Sequence, residues 1–74
     1  MKVEDIIKIA EERRGDKVRL IKENEHVYIA VPFTQFVGRV PLLFIKSTGD
    51  VRLMNTSKED LELIRGSKII WELQ

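Results

Sequence analysis

The feature that most constrains the fold is a nearly uncharged stretch in the middle of an otherwise highly charged chain. Between Val27 and Ile45 the only ionised side chain is Arg39, and thirteen of the nineteen residues are apolar. Over the whole chain, Lys, Arg, Asp and Glu make up 34% of the residues. So apolar a stretch has to form the buried centre of the fold, because leaving it in water would forfeit most of the available hydrophobic stabilisation. Polar groups that bind or react are therefore expected in the flanking segments.

The size of the chain limits how it can be stabilised. Seventy-four residues make a single domain, and a domain this small buries only about 60% of the surface that its unfolded chain exposes. Small domains often rely on disulfides, a metal or a partner subunit. The chain has no Cys and only one His, so disulfides, thiolate zinc sites and multi-His metal sites are excluded. The two remaining ways to stabilise so small a domain are efficient packing of its core and oligomerisation.

Composition and the distribution of apolar residues indicate what kind of protein this is and where it is located. Glu, Lys and Arg are abundant while Asn and Gln are scarce, which is typical of heat-adapted proteins. The N-terminus has no secretory-leader pattern, and the central apolar stretch is interrupted by Pro32, Gly38, Arg39 and Pro41, so it lacks the ~20 apolar residues of a membrane span. We expect a cytoplasmic protein.

Two segments have helical signals. Val3, Ile6, Ile7 and Ala10 share one helical face, and the pattern predicts a helix over 2–14. A second, shorter helix is predicted before Gly66. Its capping box is formed by Thr56 with Glu59 three residues later, or alternatively by Ser57 with Asp60.

Five segments alternate apolar and polar residues or are rich in β-branched residues, as strands are. They cover residues 17–22, 26–31, 40–46, 51–54 and 67–73. Residues 33–38 fit a strand, a turn or a helical turn. Residues 40–46 are apolar on both faces, which favours a central strand that is covered on both sides or by a partner.

These elements predict an α+β domain over residues 1–74, in the order α-β-β-β-β-α-β. We expect a two-layer structure in which a mostly antiparallel sheet carries both helices on one face.

No catalytic constellation is recognisable. His26 lies beside Glu23 and Glu25 at a predicted hairpin and is interpreted as an exposed strand-end residue, and no serine lies in a nucleophile motif. The acids are interleaved with Lys and Arg, as on a solvated surface, and the glycines are too far apart for a phosphate loop. The sequence predicts a protein that is not an enzyme and that holds neither a cofactor nor a metal.

The positive charge lies on the predicted sheet: residues 17–56 carry a net +3, and the segments on either side carry −1 each. Alternation along the strands predicts which side chains face the helices. The expected inward set is Val18, Leu20, Val27, Ile29, Val31, Leu53, Ile69 and Trp71. The expected outward set is Lys17, Arg19, Ile21, Tyr28, Ala30, Arg52, Met54, Lys68 and Ile70, with Leu43 and Ile45 left open.

An outward face that is apolar at its centre and basic at its margins favours two functions. The first is protein interaction or self-association, since interfaces have an apolar core and a polar rim; a homodimer would also stabilise so small a chain. The alternative is nucleic-acid binding, in which basic strand residues contact phosphates and Tyr28 stacks on a base. The candidate binding residues are Lys17, Arg19, Tyr28, Arg52 and Lys68.

Overall fold

The computed structural model describes residues 1–15, 17–33, 40–55 and 57–73. Within these ranges the chain forms two helices and five strands, and the predicted α+β class and element order are confirmed. The elements are α1 (Val3–Arg14), β1 (Val18–Glu23), β2 (Val27–Pro32), β3 (Leu42–Ile45), β4 (Val51–Leu53), α2 (Lys58–Leu63) and β5 (Lys68–Glu72). Most of the open segment 33–38, from residue 34 on, lies outside the described residues.

All five strands belong to one antiparallel sheet, in the order β4-β3-β2-β1-β5. Strands β1 to β4 form a meander, and β5 returns to pair with the free edge of β1. The nearly uncharged stretch supplies β2 and β3, which lie inside the sheet. Apolar side chains of these two strands are buried on both faces of the sheet, as the sequence predicts for residues 40–46.

Helix α1 begins and ends close to where the sequence predicts. Ile6 and Ala10 are its buried residues, and acidic residues in its first turn complement the helix dipole. Gly15 ends the helix in the left-handed conformation, at φ 72°, and its N–H donates to the Glu11 carbonyl at 2.7 Å. Only glycine adopts this conformation without steric cost.

Helix α2 begins after Ser57. The Ser57 hydroxyl accepts a hydrogen bond from the Asp60 N–H at 3.4 Å. Ser57, the alternative prediction from the sequence, is therefore the capping residue. Thr56, the preferred prediction, lies outside the described residues. The Asp60 carboxylate does not complete a capping box with Ser57, because it accepts hydrogen bonds from Arg52 of β4 instead.

The expectation that both helices share one face of the sheet is wrong, because they lie on opposite faces. We call these the α1 face and the α2 face. On the α1 face, Ile6 and Ala10 pack with buried strand residues, namely Val18, Ile21, Ala30, Leu42 and Phe44. On the α2 face, Leu63 and Ile64 pack against Val27, Ile29, Val31 and Leu43. Since β2 and β3 are apolar on both sides, each side requires cover.

Irregular pairing explains why alternation assigned several side chains to the wrong face. In β1, Val18 pairs with Pro32 and Leu20 with Val31, so Arg19 is an extra residue. This bulge places Val18 and Leu20 on opposite faces instead of one. Ile21 and Ala30, both predicted to point outward, are buried for a different reason, because α1 covers the face on which they lie.

A second irregularity lies in β5. Trp71 is opposite Ile21 and Ile69 is opposite Lys22, so Ile70 is extra. Trp71 packs with the α1 cluster, which confirms its assignment to the core. Ile69, across from a residue of the α2 face, lies on the other side of the sheet.

Candidate functional site: an open groove on the α2 face

The five predicted binding residues do not share one surface. Tyr28 is half-buried on the α1 face. Arg19 and Arg52 lie on the α2 face, since Arg19 borders a groove there and Arg52 is opposite Leu43. Lys17 precedes β1 and Lys68 begins β5, and both are exposed.

Arg52 is committed to a structural contact. Its guanidinium donates two hydrogen bonds to the Asp60 carboxylate, from Nη1 to Oδ2 at 2.8 Å and from Nη2 to Oδ1. The Asn55 N–H donates to the same carboxylate at 2.6 Å. These bonds, those from Arg52 above all, hold the pKa of Asp60 below its ordinary value despite burial. The pair connects β4 to α2, so Arg52 is a poor candidate for contact with a ligand.

Tyr28 belongs to a second contact network. Lys46 Nζ lies 4.6 Å from the centre of the Tyr28 ring and donates to Glu23 at 2.6 Å and to the Asn24 carbonyl at 2.8 Å. The hydrogen bond from Lys46 is the main reason why the pKa of Glu23 is lowered. Tyr28 and Lys46 also border a cavity of about 290 Å³ with Met1 and Phe44. The Lys46 ammonium in this lining is therefore already held by Glu23 and Asn24.

The most suitable binding surface is the part of the α2 face that α2 leaves open. Because α2 has only six residues, it covers one part of this face, and a groove of about 320 Å³ lies beside it. We call this the α2 groove. Its apolar lining consists of Leu20, Ile29, Val31, Pro41, Met54 and Ile64. Leu61, one helical turn before Ile64, and Ile69 of β5 extend the apolar surface beyond the groove.

Two cations, Arg19 and Lys22, line the rim of the α2 groove. Arg19 is exposed and Lys22 is half-buried, and neither forms an ion pair with any residue that the structure describes. One acid is near, since Glu72 pairs with Leu20 across β1 and β5. The groove therefore combines an apolar floor with available positive charge.

Sequence reasoning identified Arg19 and missed the rest of the groove. The spacing of Leu61 and Ile64 shows that they are helical neighbours, but nothing in the sequence shows which face of the sheet α2 covers. Lys22 was not chosen because its side was not assigned. It lies on the α2 face because it follows Leu20 by two residues and pairs with Ile29, and the sequence does not show that α2 leaves this part of the face open.

His26 and the acids near it lie outside the α2 groove. His26 is exposed, as expected of a strand-end residue, and lies 3.3 Å from Glu25, which is also exposed. In the described part of the chain, no three His, Asp or Glu side chains are grouped to hold a metal ion. Neither α1 nor α2 has the length and apolar composition that crossing a bilayer requires.

No family model, curated protein or solved structure matches this chain.

Proposed function

We propose that the chain is a protein-interaction module that makes its contact through the α2 groove. The observation that carries the proposal is an apolar floor that the described residues leave open beside two cations, Arg19 and Lys22, on one side of the sheet. An apolar centre with a polar rim is the usual anatomy of a protein interface. The exposed apolar surface continues onto Leu61 and Ile69, which are 52% and 48% exposed, and monomeric proteins rarely leave extended apolar patches in water.

Three observations favour a protein partner over a nucleic acid. Among the described residues that line the α2 groove, none has an aromatic side chain on which a base would stack. Tyr28, the aromatic in the nucleic-acid hypothesis, lies on the opposite face from Arg19. The net charge of +1 is also small for a protein that depends on phosphate contacts.

Photo-crosslinking in cells that express the chain tests this proposal. A benzoylphenylalanine replaces Leu61 in one variant, Ile69 in a second and Leu53 in a third. Leu53 is the matched control, because it is 55% exposed but lies on the α1 face, opposite Leu42. We expect the same protein adduct from positions 61 and 69 and none from position 53, and we expect Arg19→Glu to remove it.

Adducts with nucleic acid, an equal yield from position 53, or no adduct from positions 61 and 69 would each overturn the proposal. The adduct contains either a second copy of this chain or a different protein. Its mass distinguishes the two.

A further inference from the structure

We infer that the partner in the α2 groove is a second copy of this chain, whose α2 lies in the groove of the first. This inference rests on the proposed function, because it assigns an occupant to the same surface. It follows from the shape of the α2 face, from the position of Leu61 and from the charges on the two surfaces that would meet.

The α2 face has a ridge and a depression side by side. Leu63 and Ile64 hold α2 against the sheet, and Ile64 is also one wall of the α2 groove. When two such faces meet across a two-fold axis that runs between them, the helix of each lies over the groove of the other. Each copy thus offers both halves of the contact, as an isologous interface requires.

Leu61 supplies the apolar contact. It is 52% exposed and lies three residues before Ile64, so the two side chains are neighbours on one side of α2. In the pair, Leu61 of each copy enters the groove of the other, where Leu20, Val31 and Met54 provide apolar walls. Contact with these walls would remove from water the largest apolar side chain that α2 exposes.

The charges of the two surfaces are complementary. The exposed charged residues of α2 are Lys58, Glu59 and Glu62, with a net charge of −1. The groove has Arg19 and Lys22 at its rim and Glu72 nearby, with a net charge of +1. None of these six residues has an ion-pair partner within the described chain. A second copy brings the opposite charges together twice, once on each side of the axis.

The chain exposes enough surface to form a dimer interface of standard size. A protein interface of standard size buries about 800 Å² on each partner, roughly a sixth of the 5179 Å² that this chain exposes. The association would also add apolar burial to a chain that is near the lower size limit for an independent domain.

Sedimentation velocity on the purified full chain and on two charge-reversal variants tests the inference. The groove variant combines Arg19→Glu with Lys22→Glu, and the helix variant combines Glu59→Lys with Glu62→Lys. We expect the wild type to dimerise and each variant alone to dimerise at least about tenfold more weakly, a loss of 1.4 kcal/mol of association free energy. An equimolar mixture of the variants should recover the dimer, because each then meets the opposite charge.

The matched control is Lys2→Glu with Lys8→Glu, which reverses two exposed cations at α1. It should dimerise like the wild type. Far-ultraviolet circular dichroism checks that every variant is folded. If a charge variant is unfolded, Leu61→Asp replaces it, and it should weaken the dimer while Leu53→Asp does not.

The outcomes separate this inference from the proposed function. A wild type that stays monomeric to millimolar concentration, while positions 61 and 69 crosslink to a different protein, overturns the second-copy inference and leaves the proposed function standing. A monomer without crosslinks overturns both. A dimer that is unaffected by both charge reversals has its interface elsewhere, which overturns the second-copy inference; the crosslinks from positions 61 and 69 then decide the proposed function.

Discussion

Asp60 is the only charged residue that is buried in the described part of the chain, at 2% exposure. Its carboxylate accepts hydrogen bonds from Arg52 and from the Asn55 N–H. Removing the carboxylate in Asp60→Ala leaves these donors without their acceptor, and hydrogen bonds to charged groups are worth about 1.5–3 kcal/mol. Because Arg52 is half in water, we expect a loss of about 1–3 kcal/mol in the free energy of unfolding, measured by urea denaturation.

The neighbouring Glu59 provides the control for this substitution. Glu59 is exposed, and its side chain forms no hydrogen bond or ion pair with the described residues, so Glu59→Ala should change the free energy of unfolding by no more than about 0.5 kcal/mol. Equal losses in the two variants would contradict the structural role assigned to the Asp60 carboxylate.

The pKa values of Asp60 and Glu23 predict how stability depends on pH. Both are lowered by folding from their ordinary values of 3.8 and 4.5, through hydrogen bonds from Arg52 and Lys46 respectively. A carboxyl group with a lowered pKa contributes stability that is present above its unfolded pKa and is lost as the pH falls through its folded pKa. Urea midpoints should therefore be steady near neutral pH and decline below about pH 4.

Asp60→Asn isolates the contribution of Asp60 to this decline. The variant should be less stable than the wild type at neutral pH, and the difference should shrink as the pH falls, because the wild-type carboxylate is then protonated. A constant difference in the urea midpoint from neutral to acidic pH would show that the charge of Asp60 does not contribute.

At the level of the elements, α2 depends on polar contacts to stay on the sheet. A six-residue helix is not stable by itself. Asp60 holds its first turn to β4, and Asn24 Nδ2 donates to the carbonyls of Leu63 and Arg65 at its end. The Asn24 Oδ1 accepts from the N–H groups of His26 and Val27 at 2.8 and 2.9 Å, so one side chain joins the β1–β2 turn to the end of α2.

Asn24→Asp separates these two roles of Asn24. An aspartate keeps the acceptor for the turn but replaces the donor with an oxygen that faces two carbonyls. We expect faster amide hydrogen exchange in α2, with little change at the centre of β1 and β2. Exchange that rises equally throughout the sheet would contradict an independent role for Asn24 in anchoring α2.

The elements themselves were largely predictable, while their faces were not. Periodicity identified α1 and all five strands because each pattern is local. The side of the sheet depends on two extra residues, Arg19 and Ile70, and a single bulge reverses the orientation of every residue beyond it. Alternation thus placed Val18 with Leu20 and Ile69 with Trp71, although the two members of each pair lie on opposite faces. The predicted binding site was wrong for the same reason, because it combined Tyr28 and Arg19, which lie on opposite faces of the sheet.

At the scale of the whole molecule, salt dependence distinguishes the two functions that the sequence left open. An interface with an apolar centre and a few ion pairs should weaken only modestly as salt rises, since screening acts on the rim charges alone. Binding to nucleic acid falls steeply with salt because counterions are released. We expect a shallow salt dependence of the wild-type dimer by sedimentation and negligible binding of single-stranded oligonucleotides by fluorescence anisotropy.

Tight oligonucleotide binding whose affinity falls steeply with salt would contradict this prediction. It would transfer the role of Arg19 and Lys22 from a protein contact to phosphate contacts.

The central claim is that two copies of the chain associate with each other through the open part of the α2 face. The most direct test is a dilution series of the ¹⁵N-labelled chain, followed by two-dimensional NMR from millimolar to micromolar concentration. The account predicts concentration-dependent shifts of the amide signals at Leu20, Lys22, Met54, Leu61 and Ile69, with those of Leu53 and α1 unchanged. Shifts confined to α1 and Leu53, or a spectrum that does not change with concentration, would contradict it.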